Sequence, residues 1–221
     1  MNQLPSFLAF ADPLEPFEPY SAPVGCGGKE KPGTAAFRDF ILSTVGIGRD
    51  VGIMRCCDPT NPDCGMDHPS EHHVGRAWDW GLSASNPEQA AAAQLVLDWL
   101  LAPDAMGNQA AMFRRVGLIY IIWNRQSWHN PTKGWQTYTG KNPHTDHVHF
   151  SFGVPGAMAQ TSFYRWLGTT PGVDQPPGVE PIPGQPEQQN NALAGVMGFA
   201  LGAGIGYIVG GQIAHIRSKI G

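Results

Sequence analysis

A proline-rich stretch at residues 169–190, TTPGVDQPPGVEPIPGQPEQQN, limits where this chain can build a folded body. Proline fixes φ and has no amide hydrogen to donate, so so dense a run suits neither a helix interior nor a sheet ladder. It reads as an extended, semi-rigid linker. Much of the remaining glycine and proline, drawn from totals of 28 and 20, also crowds toward the two ends. The folded domain is therefore expected at 31–168. An irregular arm, 1–30, precedes it and ends in Gly25-Cys26-Gly27-Gly28. After the linker come an apolar segment, 191–213, and a basic tail, 214–221. A chain of 221 residues has room for one ordinary domain with a sizeable core plus these extras.

Charged residues make up only 14%, below the roughly 25% of ordinary soluble domains. The net charge of -4 gives no electrostatic reason to expect nucleic acid, which usually needs a basic face, and no such partner is expected. Histidine is distributed less evenly. Of eight, seven lie between His68 and His149, so the residue type that titrates near neutrality and binds metals is concentrated in one stretch.

Four cysteines, Cys26, Cys56, Cys57 and Cys64, lack the spacing of a paired zinc ribbon. Disulfides, free buried thiols and a structural metal all remain open for them. The first 21 residues have no basic start and no apolar core of signal-peptide length, so no conventional export signal is expected there.

Within the domain, Ala36, Phe37, Phe40, Ile41 and Thr44 recur at helical spacing and predict a helix over 33–45. Asn86-Pro87-Glu88 is a helix start, with an Asn cap and Pro in the first turn, and Pro103 follows the end of that helix near Leu101. A further helix is expected over 109–115. Strands are expected at 77–80, 117–123, 135–138 and 147–152, the second from β-branched and aromatic content and the last from alternation. Helices placed before and between antiparallel strands imply an α+β fold: a small antiparallel sheet flanked by helices.

A catalytic zinc site takes three ligands from His, Asp, Glu or Cys and leaves one position open. Two stretches supply such residues. In Ser70-Glu71-His72-His73-Val74-Gly75-Arg76-Ala77-Trp78-Asp79, a histidine and an aspartate seven apart cannot meet along one straight strand. They can meet if the chain turns back at Gly75. Adjacent residues project differently, so one of His72 and His73 is expected to face Asp79. In Asp146-His147-Val148-His149, a strand points His147 and His149 to the same face, so one can bind metal beside the other. Taken singly, any of these histidines is more often a surface or hydrogen-bonded core residue. His68, His73, His129 and His144 are left to that reading, and Trp78, Trp80, Trp123 and Trp128 to core or cleft walls.

Ser70, His72, Gly75, Ala77 and Asp79 match the pattern S-x-H-x-x-G-x-A-x-D, followed by the H-x-H of His147 and His149. This resembles the zinc D-alanyl-D-alanine carboxypeptidases and related peptidoglycan endopeptidases, whose fold the hedgehog signalling domain shares. Phage and actinobacterial members are the most similar, and the likeness spans roughly 50–152. It implies that His72, Asp79 and His149 bind Zn2+ and that the target is a peptide bond of bacterial peptidoglycan. It implies Asp146 as the proton acceptor, with His147 orienting or stabilising charge; in other relatives the residue matching His147 is the essential group. It also implies an arginine for a substrate carboxylate or oxyanion, here Arg55, with Arg49 in reserve, although no S-G-Y-R-S stretch surrounds Arg55.

Residues 192–211 carry no formal charge and are long enough for a helix to cross a membrane core of about 30 Å. Gly198, Gly202, Gly206 and Gly210 recur every fourth residue, a zipper suited to helix packing and self-association. Arg217 and Lys219 after the span favour a cytoplasmic carboxy terminus, with the domain facing the cell wall. Delivery within a phage particle is the other route open to a chain without an export signal. The combined expectation is a membrane-associated zinc peptidase of peptidoglycan, including a phage lysin or virion-associated wall hydrolase. The alternative is a membrane-inserting structural or pore-forming component whose peptidase-like domain is vestigial or only binds zinc.

Overall fold

The computed structural model describes Leu4, Phe10 and residues 12–25, 28–55 and 70–168. The chain divides into two units, Met1–Gln175 and Pro176–Gly221, with the division inside the proline-rich stretch. The four cysteines, His68, the linker, the glycine-spaced apolar segment and the basic tail lie outside the described residues. Among the described residues, no helix is long and apolar enough to cross a membrane.

The described part is α+β. In chain order it runs α1 (Pro32–Val45), β1 (Arg49–Gly52), a 3-10 turn (Glu71–Val74), β2 (Ala77–Gly81), α2 (Pro87–Leu101), α3 (Ala111–Val116), β3 (Leu118–Trp123), β4 (Gln126–Trp128), β5 (Trp135–Thr137), β6 (His147–Phe152), α4 (Val154–Ala157) and α5 (Ser162–Leu167). The six strands form one sheet in the order β1-β2-β6-β3-β4-β5, and every pairing is antiparallel.

Local chemistry accounts for the helices. Pro32 opens α1, Phe37, Ile41 and Val45 recur on its buried face, and Gly46 ends it in the left-handed region at φ 70°. The Asn86 side chain accepts from the Glu88 and Gln89 amides at the start of α2. The helix expected from residue 109 begins only at Ala111, because Ala110 itself is left-handed at φ 50°. Strand β1 was not expected. Its four residues are largely exposed and carry no alternating apolar pattern, so only its pairing with β2 makes it a strand.

Strands β2 and β6 lie side by side, with Asp79 directly opposite His149 and Gly81 opposite His147. Alternation sorts their side chains between two faces. Trp78, Trp80, Val148, Phe150 and Phe152 enter the core with Phe37 of α1, whose ring lies 5.3 Å from Phe150 and 5.6 Å from Phe152. Asp79, His147, His149 and Ser151 share the other face. A slip of one residue would exchange two tryptophans for the polar set, so burial of the aromatic face fixes the register that builds the site.

Residues 12–25 have no regular structure, yet they are fastened to the body. Arg76 donates to the Ser21 hydroxyl and carbonyl, Ser162 donates to the Glu15 carboxyl, and Phe17 packs 6.3 Å from Phe113.

Candidate metal centre

His72 arrives on the 3-10 turn. Ser70 caps that turn by accepting from the His72 amide, while His73 Nδ1 accepts from the Ser70 amide. His73 is thereby committed to the turn and His72 faces inward. Gly75 then reverses the chain at φ 71°, and a Cβ there would lie 2.6 Å from the Lys29 carbonyl oxygen. The position requires glycine on both counts. The reversal brings His72 back over Asp79 in β2 and His149 in β6.

The three residues expected as ligands converge. His72 Nε2 lies 3.2 Å from Asp79 Oδ1 and 3.3 Å from His149 Nδ1, and His149 Nδ1 lies 2.8 Å from Asp79 Oδ1. A tetrahedral ion with arms of 2.0–2.1 Å has ligand-to-ligand edges of about 3.3 Å. The observed triangle is that size or slightly tighter. All three side chains are buried, and they form a group that can hold a metal ion.

Hydrogen bonds behind the triangle aim its donor atoms. His72 Nδ1 donates to the Ile53 carbonyl at 2.7 Å, which leaves the lone pair on Nε2. Arg55 Nη2 donates to Asp79 Oδ2 at 2.9 Å, which leaves Oδ1 for the centre. The second nitrogen of His149, Nε2, meets Ser151 Oγ at 2.9 Å. Burial pulls the His149 pKa down to about 4, against the opposing hydrogen bond that Asp79 accepts from it, so the imidazole is neutral at pH 7. Burial pushes Asp79 the other way, but the His149 and His72 imidazoles beside it outweigh that and hold its carboxyl well below the ordinary range. Neutral imidazole and ionised carboxylate are the forms that bind metal.

The other expected residues stand around this triangle. His147 Nε2 is buried, has no hydrogen-bond partner among the described residues and lies 3.7 Å from Asp79 Oδ1. Its Nδ1 meets Asp146 Oδ1 at 2.8 Å. The Asp146 side chain is 79% exposed, so of the two it is His147 that faces the centre. Arg55 is 51% exposed at the rim. Arg49 lies across Gly81, where a Cβ would come within 2.8 Å of its Cγ. It lines an open cavity of about 400 Å³ with Gly48, Leu82, Ser83, Gln89 and Asp146.

His144 was read from sequence as an ordinary histidine. Its ring centroid lies 4.6 Å from His147 and 5.7 Å from His149, at a buried position with φ 52°. Its Nδ1 donates to the Asn142 carbonyl at 2.7 Å, and burial lowers its pKa. The spacing H-x-D-H-x-H was the available clue. The supports from the Ile53 carbonyl and from Ser151 were also missed.

The VldE C-terminal domain family model matches residues 26–149, more than half of the chain, and that span includes all three members of the triangle. The chain belongs to the VldE C-terminal domain family. As a VldE C-terminal domain, it has its match end on His149, the last member of the triangle. No curated protein and no solved structure matches the chain.

Proposed function

We propose that this chain is a zinc-dependent peptidase that hydrolyses peptide bonds of bacterial peptidoglycan, in stem peptides or cross-links. One observation carries the reading: two imidazole nitrogens and one carboxylate oxygen, each with its other polar atom bonded elsewhere, stand within 3.3 Å of one another in a buried site. Such electron-rich atoms repel unless a proton or a metal cation lies among them. Two nitrogens with one oxygen suit zinc better than the all-oxygen shells of calcium or magnesium, and three ligands leave a fourth position open. When bound, zinc supplies Lewis-acid polarisation of a carbonyl and an acidified water.

The remaining roles fall to the chain's own side chains. His147 accepts a proton at Nε2, a buried atom without a partner among the described residues, while Asp146 holds Nδ1 and steadies the imidazolium. His147 then returns that proton to the leaving amine. Arg55 brings a fixed positive charge to the rim, where a substrate carboxylate or oxyanion would gain from it. This departs from the sequence expectation in exchanging the roles of Asp146 and His147. The peptidoglycan target and the zinc-carboxypeptidase-like fold rest on the S-x-H-x-x-G-x-A-x-D and H-x-H resemblance. Membrane attachment, or delivery in a phage particle, rests on the apolar composition of 192–211.

The test is digestion of purified peptidoglycan by the full chain, with fragments identified by mass spectrometry. New amine and carboxyl ends are expected from the zinc-loaded protein, absent with chelator and restored by zinc. Intact peptide bonds after digestion with zinc-loaded protein, or unchanged cleavage by Asp79→Ala, would overturn the reading.

A further inference from the structure

The sheet face that carries the metal triangle continues past it onto β3. Tyr120 pairs with Ser151, so its side chain shares that face, and its ring stacks on His149 with centroids 5.5 Å apart and planes at 22°. The His129 ring lies 5.4 Å from the same tyrosine. One aromatic ring thus links His149 to His129, and His129 lines a second open cavity of about 400 Å³. Its walls come from separate parts of the chain. The amino-terminal arm supplies Phe17, Glu18 and Pro19, while β3 and the segment after β4 supply Ile119, His129 and Lys133. Arg76 holds the arm nearby by donating to the Ser21 hydroxyl and carbonyl, each at 2.9 Å.

Phe17, Pro19 and Ile119 make part of this lining apolar, and charges of both signs sit beside them. Among the described residues, neither Glu18 nor Lys133 has an ion-pair partner. Glu18 is half-buried, and that burial, with Glu15 nearby, raises its pKa. Its carboxylate therefore gains from a cation brought into the cavity. Lys133 is exposed, and its charge adds to partial burial in lowering the pKa of His129. An apolar lining with one acid and one base suits an aliphatic stem that ends in both an ammonium and a carboxylate. We propose that this cavity receives the side chain of a diaminopimelate residue in a stem peptide, its free ammonium against Glu18 and its carboxylate against Lys133. The inference rests on the hydrolase reading above and names its substrate class. Lysine, which takes the same place in other stem peptides, ends in an ammonium alone and leaves Lys133 unmatched. An extended peptide advances about 3.3–3.6 Å per residue, so the two ring-to-ring steps from His149 to His129 place diaminopimelate within about three residues of the bond cut.

Calorimetric titration of the full, zinc-loaded chain carrying His147→Gln reads binding without turnover. The two probes are the stem tripeptide L-alanyl-γ-D-glutamyl-meso-diaminopimelate and its counterpart ending in L-lysine, which differ by one carboxylate. The diaminopimelate peptide is expected to bind about 5-fold tighter or more. Adding Lys133→Met should remove that preference by weakening the diaminopimelate peptide alone. Adding Glu18→Gln should weaken both peptides by a similar factor, since both carry the ammonium. Should Glu18→Gln disturb the arm, Lys133→Met at its exposed position still reads the carboxylate half. Affinities within about twofold of one another before these additions, or a preference that survives Lys133→Met, overturn the assignment. Cleavage of peptidoglycan without such a preference fells this inference alone. The expected preference in a chain that leaves peptidoglycan uncut keeps the cavity as a binding site and fells the hydrolase reading.

Discussion

His147 Nε2 lies 3.7 Å from Asp79 Oδ1 with no hydrogen-bond partner among the described residues, while its other nitrogen is held by Asp146 at 2.8 Å. A buried ring nitrogen left without a partner is costly unless a reacting group or water occupies the space beside it. His147→Gln is therefore expected to lower turnover on peptidoglycan by roughly 10²- to 10⁴-fold while retaining zinc. Asp146→Asn should fall between that variant and wild type, since it disturbs the orientation of His147 alone. Metal analysis alongside steady-state rates checks both. A His147→Gln protein with full activity would remove this residue from the chemistry.

Metal removal should cost stability, because the triangle exists only in the folded chain. At zinc 100-fold above its dissociation constant, binding to the native state alone adds about 2.7 kcal/mol. Chelator is expected to lower the thermal midpoint of wild type and to leave Asp79→Ala unmoved. Equal responses from the two proteins would place the metal elsewhere.

The metal-free protein should lose stability as pH falls from about 6.5 to about 4. Over that window the unfolded chain takes up a proton at His149, ordinarily at 6.5, that the folded chain accepts only near 4. The loss from this group is about 3 kcal/mol, and the curve flattens below the window. His73 and His144, also lowered by burial, act with the same sign. Asp79 is depressed as well, but its contribution starts to fade only below about its ordinary 3.8. Urea titrations of chelator-treated protein across pH 4 to 7.5 give the slope; a flat profile, or one rising toward acid, contradicts the burial of these rings.

Gly75→Ala tests the turn that carries His72. The left-handed backbone at φ 71° costs an L-residue roughly 1–2 kcal/mol, before the 2.6 Å approach to the Lys29 carbonyl is counted. Destabilisation of at least that size is expected, together with weaker zinc binding. A stable variant with unchanged affinity would show that the reversal can form another way.

Much of this site was legible in the order of residues along the chain, and for identifiable reasons. The alternation of Ala77-Trp78-Asp79-Trp80 and His147-Val148-His149-Phe150 separates a polar from an aromatic face, so a strand at each place sends the expected ligands one way. A glycine between His72 and Asp79 marked where the chain had to turn. What escaped is chemistry that leaves no side-chain pattern. The carbonyl of Ile53 that aims His72 belongs to no residue type, and Tyr120 sits in an apolar strand whose irregular pairing alone turns it toward His149. Which of Asp146 and His147 points outward is likewise unmarked in the sequence, and strand β1 forms only because β2 offers it an edge.

His72, Asp79 and His149 form a group that can hold a metal ion, and the proposed function requires that ion to be zinc. Native mass spectrometry of the full chain after zinc loading and removal of excess metal tests it most directly. One zinc per wild-type chain is expected, with none retained by His72→Ala, Asp79→Ala or His149→Ala. Zinc absent from wild type, or kept in full by all three variants, would contradict the account.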